Sequence, residues 1–294
     1  MPGDLTRRAI AAQPDWLRQV QERVGTARLP TDARVLFTGC GTSFHAALAC
    51  GTAAQALELV VGQAPEADVL VAISHEGGTR VTLEAVEGFH GETWLITAVE
   101  DSPLGRAVDH VVVAAPEVEE SYCHTASYTS AIAAGRALLG EDVTLLADEV
   151  ERELAAEAFP VSAHERFLIA GSGSDVATVL EAVLKLREGA HVAAESHHTE
   201  QLLHGHLAAV DSTVRCFVLE GTGRAAERAH DAMSALAELE CEATLVPTSH
   251  PVVDIVRFQR LTVDLADTRG VDPDLIRWNE ERWGRASKAA AGSP

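Results

Sequence analysis

Apolar positions in this chain fall into short continuous runs separated by longer stretches of helical periodicity. The runs Arg34-Val-Leu-Phe-Thr38, Asp68-Val-Leu-Val-Ala-Ile-Ser74, Thr93-Trp-Leu-Ile-Thr-Ala-Val99 and His110-Val-Val-Val-Ala-Ala115 read as buried strands. Helix-like stretches follow around 43–59, 79–89 and 125–139. The pattern then restarts: Phe167-Leu-Ile-Ala170 leads through Gly171-Ser-Gly-Ser174 into a helix reaching about 188, and Thr213-Val-Arg-Cys-Phe-Val-Leu219, a helix over 224–239 and Ala243-Thr-Leu-Val-Pro247 come next. Strand, small-residue turn and long helix in alternation is the pattern of a parallel α/β sheet, and its repetition predicts an internal duplication. The boundaries expected are an N-terminal helix within 1–30, a first unit over 31–145, a second over 146–285, and a flexible tail over 286–294. An acidic helix near 141–158 serves as connector.

Composition narrows the setting. The 294 residues are 47% hydrophobic but only 4% aromatic, so the core is expected to be aliphatic. Lys and Arg number 23 against 44 Asp and Glu, a formal charge of −21 that repels nucleic acid and anionic lipid. The opening MPGDLTRRAIAAQPDWLRQV lacks the apolar stretch of a signal peptide, and no apolar run approaches the roughly 20 residues of a membrane span. Cys40, Cys50, Cys123, Cys216 and Cys241 are odd in number and widely spaced, which argues against a disulfide framework or zinc-thiolate site. A cytoplasmic protein is expected, with neither nucleic acid nor membrane as partner.

Three segments carry candidate chemistry. Gly39-Cys-Gly-Thr-Ser43 lies between a strand and a helix, where free N–H groups at Gly41 and the hydroxyls of Thr42 and Ser43 can meet an anion or a sugar hydroxyl. A dinucleotide fingerprint would need glycine where Phe44 stands, so no nucleotide cofactor is expected, and by itself this is an ordinary tight turn. Ser74-His-Glu-Gly-Gly-Thr79 occupies the equivalent place after the next strand and offers Ser74, His75, Glu76 and Thr79. Glu181, Lys185 and Glu188 stand at i, i+4 and i+7 on one helix face. The first two read as a surface Glu–Lys pair contributing roughly 0.2–0.5 kcal/mol, while Glu188, just before Gly189, can project into a cleft.

Taken in order, these motifs resemble the sugar isomerase (SIS) domain family, whose members include the isomerase half of glucosamine-6-phosphate synthase and stand-alone isomerase and deglycase relatives. The matching residues are Gln13-Pro14, Gly39-Cys-Gly-Thr-Ser43, Ser74-x-x-Gly-x-Thr79, Thr125-x-x-Tyr-Thr129, Leu180-Glu-x-x-Leu-Lys-Leu-x-Glu188, Glu195 and Leu203-His-Gly205. The resemblance covers nearly the whole chain. It implies two tandem flavodoxin-like subdomains, each a parallel sheet flanked by helices. It further implies a homodimer and an aldose–ketose isomerisation of a sugar or amino sugar. Glu188 would be the base that moves a proton between C1 and C2 through an enediol, a task suited to a partly buried carboxylate of raised pKa. His204 would assist ring opening. It follows Glu188 by 204 − 188 = 16 residues, roughly 24 Å along a continuous helix, and the resemblance implies that it arrives from the neighbouring subunit. His191, His197, His198 and His206 with Glu195 and Glu200 raise a metal site as the minor alternative; the family's isomerases use no catalytic metal, and none is expected.

Departures from the family pattern modify this expectation. The family's Ser-Gln-Ser-Gly-Glu-Thr phosphate loop reads Ser74-His-Glu-Gly-Gly-Thr79 here. A carboxylate about 4 Å from a phosphate at an effective dielectric near 20 costs roughly 4 kcal/mol, against about 0.3–2 kcal/mol returned by a helix dipole. Repulsion wins unless Glu76 turns away or His75 is protonated, so a phosphate-free substrate is the expectation. His124 and Ala126 replace the serine and lysine of the family's Ser-Thr-Lys stretch. The lysine that forms a Schiff base near the C-terminus has no counterpart in Leu275-Ile-Arg-Trp-Asn-Glu-Glu-Arg-Trp283, and too few residues precede the first strand for an amidotransferase half. Amination-coupled synthesis is therefore not expected. A fructosamine deglycase is the alternative enzyme, and a non-catalytic sugar sensor the alternative outside enzymes.

Overall fold

A computed structural model describes residues 1–290. In chain order the elements are α1 (Asp4–Val24), β1 (Val35–Gly39), α2 (Thr42–Cys50), β2 (Ala53–Gln55), α3 (Ala56–Val60), β3 (Val69–Ile73), α4 (Arg80–Glu87), β4 (Glu92–Thr97), β5 (His110–Val113), α5 (Ala126–Leu138), α6 (Leu146–Ala155), β6 (Arg166–Gly171), α7 (Val176–Gly189), β7 (Ala193–His198), α8 (Thr199–Leu203), β8 (Val214–Leu219), α9 (Arg224–Glu238), β9 (Glu242–Val246), α10 (Pro251–Arg269) and α11 (Glu281–Ala290). They build two sheets, ordered β2-β1-β3-β4-β5 and β7-β6-β8-β9. Every strand pair is parallel. Two flavodoxin-like units in tandem are thus what the duplicated pattern encodes.

Strand alternation decides which neighbours each sheet has. In the first sheet Phe37, Val71, Ile73 and Ile96 point one way, into a core shared with Phe167, Ile169, Phe217 and Leu219 of the second sheet. Helices α1, α2, α5, α6, α7 and α10 fill that shared layer. Leu36, Leu70, Ala72 and Leu95 face outward, packing with Val86 of α4 and with Leu104. The outer face of the second sheet, through Leu168, Ala170, Cys216 and Val218, takes α8 and α9. A period of two therefore sorts the strands' side chains between one common core and two outer ones. The two halves are joined by apolar burial rather than by a linker.

Several elements depart from the sequence reading. The stretch 43–59, expected as one helix, is broken after Cys50 by Gly51, and β2 then pairs at the sheet edge before α3 begins. Three residues are too few to carry a periodic signal. β7 carries no apolar run in the sequence because it is an edge strand with mostly polar, solvent-facing side chains. α10, absent from the sequence reading, is largely enclosed, and its apolar residues lie all round rather than in a stripe. The acidic connector is α6, whose buried Glu153 receives Arg257 through Nε at 2.6 Å and Nη2 at 3.0 Å. Part of the segment expected as a flexible tail is helical, since α11 runs to Ala290; the rest, 291–294, lies outside the described residues. Among the described residues no helix is long and apolar enough to cross a membrane.

Candidate functional site

In the strand order 2-1-3-4-5 the chain leaves β1 and β3 toward opposite sides of the sheet, opening a crevice at their C-terminal ends. The two glycine-bearing turns singled out in the sequence flank that crevice. Gly39 is dictated by packing: a Cβ there would stand 2.8 Å from the Ser43 backbone and 3.0 Å from the Ile73 carbonyl. Gly77 is dictated twice, by φ of +67° and by a Cβ position 2.1 Å from Ser102 Oγ. Gly41 also has positive φ, but nothing stands within 4 Å of its Cβ position, so it faces open space. Ser74 is buried and its Oγ lies 3.2 Å from Thr79 Oγ1, which bridges the ends of the loop.

A small cavity of about 20 Å³, room for a single water, closes the inner end of the crevice. Its polar walls are Thr42, Ser43, His75, Thr97, His124, Ser127 and Tyr128. His75 and His124 stand edge to face with ring centroids 5.0 Å apart. Burial pushes both imidazoles down to about 4, helped at His75 by the neighbouring His124 and at His124 by Lys185. Both rings are therefore neutral at pH 7, and neither supplies a positive charge beside Glu76. His75 Nε2 accepts the Glu119 N–H at 2.8 Å. The buried Glu119 carboxylate in turn collects N–H and O–H from both Thr125 and Ser127, at 2.7–2.9 Å, at the start of α5. The expected residues Thr42, Ser43, His75 and His124 thus meet in one place. Gly41, Glu76 and Thr79 lie on the exposed rim and do not line the cavity.

Where α7 of the second unit packs against α2 of the first, the Glu181–Lys185–Glu188 face meets this crevice. The surface pair expected at Glu181 and Lys185 is instead fully enclosed, at 0% and 1% exposure. α7 lies between the two units, and only the tertiary fold places it there. Lys185 Nζ donates to Glu188 Oε2 at 2.7 Å and to Thr42 Oγ1 at 3.3 Å, and lies 3.4 Å from Glu181 Oε1. Glu181 also receives His45 Nδ1 at 2.7 Å and Thr42 Oγ1 at 3.1 Å. Burial works against the Glu181 charge, but Lys185 and His45 hold its carboxyl below the usual range. Burial likewise opposes the Lys185 charge, and Glu188 and Glu181 overcome it, so the ammonium persists. Glu188 itself is 25% exposed, and its Oε1 makes no described hydrogen bond. Cys123, beside these groups, is pushed up to about 12 by burial and is no nucleophile at neutral pH.

His204 lies elsewhere in the same chain. α7 returns antiparallel to the strands, so Glu188 in its last turn is level with the start of β7, whereas His204 follows α8 beyond the end of β7. The six residues of β7 separate the two levels, roughly 20 Å at 3.3 Å per residue. The His204 ring is 74% exposed, with Nε2 3.2 Å from Glu200 Oε2, and Glu200 is also held by Arg228. Nearby, His197 and His206 have ring centroids 4.5 Å apart. Among the described residues no group of three or more His, Cys, Asp or Glu side chains is placed to share a metal ion. His45, bonded to Glu181, and Glu119, bonded to His75, lie outside the quoted motifs, whereas Tyr128, which lines the cavity, stands in the Thr125-x-x-Tyr-Thr129 match. Only the i, i+4 spacing around Glu181 hinted at the network to which His45 belongs.

Comparison with known proteins follows the same lines. No family model matches the chain. It is 26% identical over 344 aligned positions, covering 91% of the chain, to glutamine–fructose-6-phosphate aminotransferase (isomerizing) of Shouchella clausii, and 27% identical over 335 positions to the Aeropyrum pernix protein of that name. The chain spans about half the length of these curated relatives, 56% and 53% respectively. Among solved structures, tagatose-6-phosphate ketose/aldose isomerase of Escherichia coli superposes with a TM-score of 0.78 at 17% identity, covering 94% of this chain and 97% of the other. Glucosamine-6-phosphate deaminase of Thermotoga maritima superposes at 0.74 with 21% identity over 92% and 97%.

Proposed function

Taking as premise that the chain belongs to the sugar isomerase (SIS) domain family, we propose that it interconverts the aldose and ketose forms of a sugar or amino sugar by proton transfer at Glu188. The observation that carries this reading is the state of the Glu188 carboxylate. One oxygen is held by a buried lysine whose charge Glu188 and Glu181 sustain against burial, and the other has no described hydrogen bond and lies at a partly open surface beside the crevice. In the ketose-to-aldose direction Glu188 takes a proton from C1, the electrons of that C–H bond form the C1=C2 double bond, and the C2 carbonyl oxygen gains a proton to give the enediol. Return of the proton from Glu188 to C2, with loss of the O1 proton, completes the shift. Lys185 positions the base, and Thr42 ties it to the first unit. A Schiff base between the ketose and a protein lysine is disfavoured, because the sequence has only two lysines and the one in the cleft, Lys185, is charged and doubly ion-paired.

His204 joins this chemistry only if a second copy supplies it, since its own chain places it at the far end of β7. A homodimer with sites shared between subunits is therefore part of the proposal. The absence of a free cleft lysine favours fructosamine deglycation as the second reading, in which the same base moves the C1 proton to C2, converting the ketoamine to a C1 aldimine that water then hydrolyses to the aldose and the free amine. The decisive experiment mixes Glu188→Gln with His204→Ala protein and follows aldose–ketose conversion or amine release over a sugar panel. Each variant alone is expected to lose at least about a hundredfold in kcat. A randomised equal mixture should recover about a quarter of wild-type activity through hybrid dimers with one intact site. Retention of activity by Glu188→Gln would refute the assignment of the base, and failure of the mixture to recover would refute the shared site.

A further inference from the structure

The C-terminal helix is the element whose stability its own chain does not explain. α11 has ten residues, and none of them is buried. Gly284 and Ser287 are half-buried and the others are exposed. A helix of that length is marginal in water unless an apolar face packs against something. Trp283, Ala286 and Ala290, at i, i+3 and i+7, supply such a face. The Arg277 guanidinium lies 3.5 Å from the centre of the Trp283 ring. The segment leading into α11 continues the apolar surface, since Trp278 stacks on Tyr122 with centroids 5.8 Å apart. Tyr122, Trp278 and Trp283 are each between 39% and 50% exposed. This surface lies beside the proposed base. A Cβ on Gly189, the residue after Glu188, would stand 3.3 Å from Pro273 Cβ and 3.4 Å from Cys123 Sγ. The Tyr122 N–H donates to the Asp274 carbonyl at 3.1 Å.

Charge is an independent indication of what covers it. Arg282, Arg285 and Lys288 against Glu281 give α11 a charge of 3 − 1 = +2, which leaves −21 − 2 = −23 on the rest of the chain. From Arg277 onward the described ion pairs are local, Arg277 with Glu280 and Arg285 with Glu281, and Arg282 and Lys288 have none among the described residues. A basic arm on an acidic body is complementary to the body of another copy, whereas the −23 that travels with it repels nucleic acid and anionic lipid. We propose that α11 with Trp278 is an arm that docks on a second copy of this chain, and that Tyr122, Trp278 and Trp283 form the apolar centre of that interface. The inference rests on the shared-site homodimer proposed above and assigns its contact surface. Because the arm starts beside Glu188, docking brings the second copy to the side from which its His204 must enter. In a two-fold dimer the exchange is reciprocal, each subunit giving one arm and receiving one. Two tryptophans and a tyrosine at the centre of a contact are the residue types that dominate association.

The test is sedimentation equilibrium of the wild-type chain, of Trp278→Ser/Trp283→Ser and of Arg282→Glu/Arg285→Glu/Lys288→Glu, paired with amide hydrogen exchange over 281–290. Every altered side chain is exposed, so both variants should keep the wild-type circular dichroism outside the arm. The wild type is expected to be a dimer whose dissociation constant rises with salt. Both variants should raise that constant at least about a hundredfold, and the charge-reversed one should lose its salt dependence. Amides of α11 should exchange fast where monomer prevails and slowly in the dimer. An unchanged dissociation constant in either variant, or fast exchange of α11 in the dimer, overturns the proposal. Slow exchange in the monomer also overturns it, because the arm is then packed on its own chain. If Glu188→Gln and His204→Ala complement each other while the arm variants stay dimeric, the shared site stands and only this contact surface is wrong. A wild-type chain that turns over sugar as a monomer overturns this inference and the shared site together, and leaves Glu188 to be judged by its own variant.

Discussion

Replacing Lys185 with methionine, which nearly conserves volume, removes the one positive charge between two carboxylates. At 3.4 Å from Glu181 and an effective dielectric near 20, a single such attraction is roughly 5 kcal/mol. The net loss is smaller. His45 and Thr42 still hold Glu181 at 2.7 and 3.1 Å, and the 25% exposed Glu188 can turn toward water. Removing one partner of a buried ion pair costs about 3–5 kcal/mol, and the lower half of that range is the expectation here. The pH dependence supplies an independent sign. In the wild type, the depressed Glu181 carboxyl contributes stability that is present above its unfolded value and lost as pH falls through the folded one. In Lys185→Met burial dominates, the folded value rises above the unfolded one, and protonation relieves the strain. Its deficit relative to wild type should therefore shrink as pH falls from 7.5 toward 5. Urea unfolding at both pH values, with Glu181→Gln/Lys185→Met completing a double-mutant cycle, measures these quantities. A deficit below about 1 kcal/mol at pH 7.5, or a double variant no more stable than the single one, would refute the account of a buried, mutually dependent network.

The remaining predictions concern the first unit. His75 and His124 are held near 4 when folded against 6.5 for the free side chain, so the unfolded chain binds more protons between those values and stability should fall as pH drops from about 6.5 to 4. A single shift of that size corresponds to roughly 3 kcal/mol. His124→Asn should flatten the profile in that window, as followed by thermal melts in matched buffers. Gly77→Ala should destabilise by about 1–3 kcal/mol, because its left-handed φ and its approach to Ser102 Oγ both exclude a Cβ. Gly41→Ala isolates the backbone contribution, since nothing crowds its Cβ position. A melting temperature for Gly77→Ala no lower than that for Gly41→Ala would contradict the steric argument.

What the sequence determined by itself was whatever local periodicity encodes. The run Asp68-Val-Leu-Val-Ala-Ile-Ser74 is buried on both faces, so it reads as a parallel strand without any tertiary knowledge. The turns at Gly39 and Gly77 were legible for a similar reason, because only glycine fits where a strand hands over to a helix at that closeness. The family resemblance, rather than periodicity, put Gly41, Thr42, Ser43, Ser74, His75, Glu76, Thr79 and His124 forward; the fold gathers Thr42, Ser43, His75 and His124 around one cavity and leaves Gly41, Glu76 and Thr79 exposed outside it.

Only the tertiary structure decided the rest. β2 and β7 are edge strands whose stability comes from the strand beside them, so neither leaves an apolar signature. The spacing of Glu181 and Lys185 is the same on an exposed helix as on an enclosed one. Their burial, and hence their energetic weight, came from α2 of the other unit packing over them. The Glu119 carboxylate became a cap for α5, and the Tyr128 hydroxyl an orphan, through contacts that no spacing rule specifies. The separation of Glu188 from His204 follows from the return direction of α7 along its sheet. Local pattern reports which backbone forms, whereas the charge state and reach of a side chain depend on what distant chain segments remove from water around it.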